Sequence, residues 1–242
     1  MTDSQGQGGA PGGAGGGWPP EGPAPQGSTP DLGDTATQAA AGARSAIDDV
    51  GRQIPGNAAT RPAPMGLVYG DVLNRSIAYI IDAILIGIVS AILQMVVGAI
   101  FGPAIGVNLN ATSLGDLMSV NYLTILVDAA VGIAISFAYF IYLWTSQRAT
   151  VGMRVLSLQV GNESNGATLT MDQAIIRWAA LFGPAALSQA FWPAPLIGML
   201  LGLAAFVWFC LLLYTTWASP TKQGLHDKYA HTMVVKAVRP IA

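Results

Sequence analysis

Of 242 residues only 10% are charged and 52% are hydrophobic, with a mean hydropathy of +0.49. Soluble domains carry about 25% charged residues, so much of this surface faces something other than water. A formal charge of -2 excludes the basic face of a nucleic-acid-binding domain, and a single cysteine excludes an internal disulfide or a multi-cysteine metal site.

Residues 1–65 are rich in Gly, Pro, Ala and Gln. Such a segment buries too little apolar surface to offset its ordering entropy, so it reads as a disordered tail. No cleavable signal peptide is visible, and the first apolar segment is expected to act as an uncleaved anchor. One helical island stands out in the tail, from Thr35 to Ile54. Thr35 with Gln38 fits a capping box, Ala43, Ile47, Val50 and Ile54 recur at helical spacing, and Pro55-Gly56 ends the run. It reads either as a transient helix or as a short helix that binds a partner or the membrane surface.

Two apolar runs, 77–101 and 120–145, exceed the ~20 residues that cross a ~30 Å hydrocarbon core. A third region, 174–219, is too long for one helix. Trp192-Pro193-Ala194-Pro195 divides it into spans over 174–191 and 196–217, the first expected to kink at Gly183-Pro184. The intervening stretches 102–119 and 192–195 contain no Lys or Arg, and all eleven basic residues fall in the other flanks. Four spans with both termini in the cytoplasm put every one of them inside, as the positive-inside rule requires. The fold expected is therefore an all-α membrane protein of four transmembrane helices, residues 66–240, in the inner (plasma) membrane.

The 146–177 loop predicts a hairpin, with 155–160 as one strand, the turn 162–166, and Thr168–Thr170 as the return. Thr170 with Gln173 predicts a capping box for the third span. The tail 231–238 is also strand-like and is expected to join this hairpin in a small cytoplasmic sheet, since two-stranded ribbons are marginal alone.

Ionisable groups at membrane depth carry the strongest local signal, because each costs about 2.5–3.5 kcal/mol at a helix centre on insertion scales. Asp82 lies in the first span and Arg75 at its inner edge, seven residues apart on nearly one face and ~10.5 Å apart along the axis. Arg75 is thus a stretched partner for Asp82, with Arg177 as a rival. Asp128 shares a small, polar stripe with Gly132, Ser136 and Tyr139 in the second span. Two carboxylates at different depths suit either a cation or proton relay or a polar pair that fixes helix packing. Gly198 and Gly202 form a small-xxx-small pattern for close packing, and the tryptophans near span ends read as interfacial anchors. Cys210, inside an apolar run, reads as a buried, inert thiol. His226 beside Asp227 lacks a nucleophile in any recognisable motif, so no enzyme, no metal site and no cofactor are expected.

Taken together these residues resemble the RDD family of small bacterial membrane proteins. Arg75-Ser-Ile-Ala-Tyr-Ile-Ile-Asp82 looks like the family's first-helix motif. Thr150-Val151-Gly152-Met153-Arg154, followed by a polar turn and Arg177, is similar to its central block, with Met153 where the family usually has Lys. Leu225-His226-Asp227 and Thr232-Met233-Val234-Val235 look like its C-terminal block. The resemblance implies that Arg75, Asp82 and Asp227 are family residues; Asp128 is not one. It also implies ligand or ion transport, including cation/proton antiport in some members, or membrane-complex assembly in others. Two functions therefore stay open: proton-coupled transport at Arg75, Asp82, Asp128, Arg177 and Asp227, which with so few helices calls for a homo-oligomer, or a non-catalytic adaptor that docks membrane-protein partners in the bilayer.

Overall fold

The computed structural model describes residues 32–107, 118–192 and 194–237. The tail up to residue 31 lies outside the described residues. Residues up to Gln38 form one unit and the chain from Ala39 another. Helix α1 (Leu32–Gln53) begins three residues before the expected island, so Thr35 sits inside it rather than at its cap. In the first unit Thr37 back-bonds to the Gly33 carbonyl. In the second, Ile47 packs on the main core, Arg44 Nη1 donates to Ser157 Oγ at 3.3 Å, and Asp48 accepts from Asn74 Nδ2 at 2.8 Å. Order thus reaches well into the stretch read as tail: Asn57 and Ala63 are buried.

Four long helices follow. Helix α2 (Val72–Phe101) starts five residues before the apolar run because Asp71 caps it, accepting from Asn74 N at 2.9 Å. Helix α3 (Tyr122–Ser146) is capped by Asn121, which accepts from Thr124 N. Helix α5 (Met171–Ala190) carries the expected Thr170–Gln173 capping box and runs through Pro184. Helix α6 (Pro195–Ala218) follows a tight turn. Three of these, α2, α3 and α6, are long and apolar enough to cross a membrane. Asp172, Gln173, Arg177, Ser188 and Gln189 dilute the apolar character of α5. It nevertheless runs antiparallel beside α6: Trp208 Nε1 donates to the Ala180 carbonyl at 2.7 Å and Ser188 Oγ to the Gly198 carbonyl at 3.3 Å. Close approach there explains the two glycines. A Cβ at Gly198 would lie 2.9 Å from the Phe191 carbonyl oxygen, and one at Gly202 3.2 Å from Ser188 Oγ.

The ends of α2 and α5 that carry Arg75 and Arg177 meet Asp227 and support a lobe. Residues read as the first hairpin strand divide instead between a short helix α4 (Val151–Val155), capped by Thr150, and strand β3 (Leu158–Asn162). The expected return strand at 168–170 does not form. Asn162 N reaches the Ala167 carbonyl across a turn, and β3 pairs directly and antiparallel with the tail strand β4 (Thr232–Lys236). The residues Val68, Tyr69 and Gly70 bond to the far edge of β4, which keeps that edge from solvent. Helix α7 (Leu225–Tyr229) links α6 to β4. Phe140, Trp144, Met153, Leu158, Val160 and Val234 form one continuous core from the helices into the lobe.

At the opposite ends, β1 (Ile105–Val107) and β2 (Met118–Val120) pair between α2 and α3. Along the shafts, Ile80, Ile84, Ile88 and Ile92 of α2 and Met199, Leu203 and Phe206 of α6 are exposed, as lipid-facing side chains must be. Cys210 is exposed as well, not buried: α6 touches its neighbours along a narrow strip and the thiol falls outside it.

Candidate functional site

Three of the expected residues meet around one carboxylate. Asp227 is fully buried at the start of α7, where its side chain also caps that helix through Gly224 N. Arg75 Nη1 donates to its Oδ2 at 3.0 Å, and Arg177 Nη1 to its Oδ1. Each guanidinium is further spent on the lobe. Arg75 donates to the carbonyls of Gly70 (3.1 Å), Lys222 (2.6 Å) and Val234 (2.9 Å). Arg177 donates to Thr232 Oγ1 (2.6 Å) and Tyr79 OH (3.2 Å), and lies 5.1 Å from the centre of the Trp144 ring. One first-span helix, one α5 residue and the C-terminal strand are thereby tied together.

Burial opposes ionisation of Asp227, but Arg177, His226 and Arg75 overcome it and hold the carboxyl well below the usual carboxylate range. Burial also lowers His226, to about 4, against an opposing pull from Asp227. At neutral pH the imidazole is uncharged, so its 3.6 Å approach to Asp227 is not an ion pair. Two guanidiniums share one carboxylate in the cluster, which leaves a buried positive excess relieved by backbone carbonyls.

Asp82 is not part of this cluster. The expected pairing with Arg75 or Arg177 does not occur, because both guanidiniums are drawn to Asp227. Instead, Asp82 is fully buried and accepts three neutral donors: Tyr139 OH (2.7 Å), Thr150 Oγ1 (2.5 Å) and Gly152 N (2.8 Å). The carboxylate sits at the N-terminus of α4, pinning the lobe to α2. A Cβ at Gly152 would overlap the Ala78 carbonyl oxygen and lie 2.9 Å from its carbon, so α4 meets α2 only through glycine.

Asp128 stands apart from both clusters. Ser136 and Tyr139 of its stripe are used, Ser136 by Trp178 Nε1 at 3.2 Å and Tyr139 by Asp82. Asp128 is half-buried, and its Oδ1 is buried with no hydrogen-bond partner.

The partners of Asp82 and Arg177 were the part sequence reasoning missed. Thr150, Gly152 and Thr232 lie in the quoted blocks without an assigned role, and Tyr139 was placed beside Asp128 rather than Asp82. The recognisable signal was Thr150 followed by Gly152, a cap and a close approach. Among the described residues no group of three or more His, Cys, Asp or Glu is placed to hold a metal.

The model described as the RDD family matches residues 69–231. The uncharacterized protein YxaI of Bacillus subtilis (strain 168) is 27% identical over 163 residues, 66% of this chain and 93% of that protein. No solved structure matches. The matched segment contains Arg75, Asp82, Arg177 and Asp227 together with every donor to Asp82, and on this ground the chain belongs to the RDD family of membrane proteins.

Proposed function

We propose that this protein is a non-catalytic scaffold in the plasma membrane, in which four helices carry a cytoplasmic lobe that docks other membrane components. The observation that carries this reading is the engagement of its two fully buried carboxyl groups, Asp82 and Asp227, by the chain's own donors. Asp82 is fully buried with three donors on it, and Asp227 accepts from two guanidiniums, Gly224 N and Thr232 Oγ1, so a cargo could reach either carboxyl only by opening the contacts that hold the lobe. Cavities of about 610 and 390 Å³ lie over the lobe beside α1, lined in common by Asp48, Arg52 and Lys236, rather than between the spans. Such a groove suits a polar segment of a partner.

The fourth span rests on α5, whose 20 residues reach about 30 Å at 1.5 Å per residue. It is supported by the antiparallel contacts with α6 and by charge: with four spans every Lys and Arg falls on the side of the lobe, which the positive-inside rule assigns to the cytoplasm together with both termini. The second reading is transport of a small ligand or cation coupled to protons, and the unpartnered oxygen of Asp128 favours it.

Proteoliposomes carrying a pH gradient separate the two. Adding Na⁺, K⁺ or Li⁺ should dissipate the gradient no faster than in empty vesicles. Cation-dependent dissipation that disappears in Asp128→Asn or Asp82→Asn would establish transport instead. A photo-crosslinking residue at Thr60, in the groove, should give a discrete heavier adduct in cells; its absence would count against the scaffold.

A further inference from the structure

Helix α4 belongs to the lobe in sequence but lies against the spans. Its first residues reach the level of Asp82 and Tyr139: Thr150 Oγ1 donates to Asp82 Oδ2 at 2.5 Å and Val151 N to Tyr139 OH at 3.2 Å. Asp82 lies five residues inside the apolar run 77–101 and Tyr139 six inside 120–145, so that level is about 7–9 Å within the apolar shafts at 1.5 Å per residue. From there α4 climbs toward the lobe. Gly152 meets Ala78, and Arg154, two residues on, stands about 3 Å higher, near the edge where the apolar run of α2 begins. Val151, Arg154 and Val155 share one helical face and all three are exposed, while Gly152 and Met153 are buried. An arginine thus faces outward between two valines at the boundary between apolar shaft and lobe. Among the described residues its side chain makes no hydrogen bond and no ion pair.

We propose that Arg154 binds the phosphate of a phospholipid in the leaflet on the lobe's side of the bilayer. The exposed apolar shafts face lipid, and the outer face of α4 continues them at the same depth, so it meets lipid as well. Val151 and Val155 suit the upper acyl chains. A guanidinium between them has to reach an anion or water, and at the hydrocarbon edge the anion at hand is the phosphodiester, which it can hold through two parallel N–H bonds. No carboxylate of the described chain neutralises Arg154. A phospholipid with a net negative headgroup is therefore favoured over a zwitterionic one, whose own cation offsets the phosphate. The contact would tie α4, and through Thr150 and Gly152 the Asp82 cluster, to the bilayer surface. The inference does not depend on whether the lobe docks partners or the helices transport.

The test uses the full chain in nanodiscs of phosphatidylcholine with rising fractions of phosphatidylglycerol, bound lipid being counted by native mass spectrometry. The natural chain should retain phosphatidylglycerol, and Arg154→Gln should need about fivefold more of it for the same occupancy, the effect of one basic residue at an anionic surface. Arg154→Lys keeps the charge and should keep most of the binding. Arg52→Gln, which removes a positive charge from the groove instead, should leave binding unchanged. Thermal unfolding in phosphatidylcholine alone should be the same for Arg154→Gln and the natural chain; a loss of stability there would assign the side chain to the fold. Inorganic phosphate at millimolar concentration should not displace the lipid, and displacement would move the site to a free anion. Depth is read separately. In a Cys210→Ser background, a bimane on Val155→Cys should be quenched by lipids carrying a nitroxide near the glycerol, and little by aqueous iodide. Equal phosphatidylglycerol binding by Arg154→Gln and the natural chain, or quenching at 155 by iodide alone, would overturn the proposal.

Discussion

At the residue scale, Asp227 is the position whose loss should be felt most. Two guanidiniums converge on it, so Asp227→Asn leaves two buried cations facing each other without compensation. Removing one member of a buried ion cluster costs about 3–5 kcal/mol, and that loss should appear in chemical unfolding in detergent. Gly152→Ala should be nearly as severe, about 3 kcal/mol or more, because the obstacle is the Ala78 backbone rather than a side chain that can turn away. Tyr139→Phe removes only one of the three donors to Asp82 and should cost less, about 1.5–3 kcal/mol for a bond to a charged group. Acid acts through two neighbours in turn. His226 takes a proton in the unfolded chain below about pH 6.5 but in the folded chain only near pH 4, so stability should decline as pH falls across that window. Asp227, depressed below its ordinary 3.8, keeps its full contribution above that pH and loses it as pH falls further. In His226→Asn the slope between pH 6.5 and 4 should flatten; an unchanged slope would remove His226 as its source.

At the element scale, the long helices were legible because their signals are local. Apolar runs of span length, the Thr170–Gln173 box and the 192–195 turn each fix a boundary without reference to the rest of the chain. The lobe was legible only in part. Its tail strand was expected to join a sheet and does, as β4 against β3. The return strand at 168–170 was wrong because the three-stranded arrangement is completed by residues 68–70, which are separated from β4 by more than 150 positions and carry no strand pattern of their own. The pairing of charges failed for a similar reason. Arg75 and Asp82 share a face of α2 on spacing alone, yet Asp227 arrives from the far end of the chain and takes both guanidiniums, while α4 brings neutral donors to Asp82. Cys210 was misread because an apolar run in a membrane protein can face lipid as well as a core.

At the scale of the molecule, from Ala39 onward, four helices are gathered at one end by two buried polar clusters, with the lobe as their common lock. Membrane-impermeant maleimide tests the arrangement. In a Cys210→Ser background, Trp192→Cys, at the α5–α6 turn, should be labelled from outside intact cells and Thr221→Cys should not; labelling of Thr221→Cys would leave three spans. Whether the buried charges hold the fold together rather than serve a cargo is decided by a double-mutant cycle between Arg177→Gln and Asp227→Asn, read by chemical unfolding. Each single variant should be strongly destabilised and the pair should cost much less than the sum, with a coupling of about 2 kcal/mol or more, within the range for groups in direct contact. Single variants as stable as the natural chain, with effects that simply add, would contradict it.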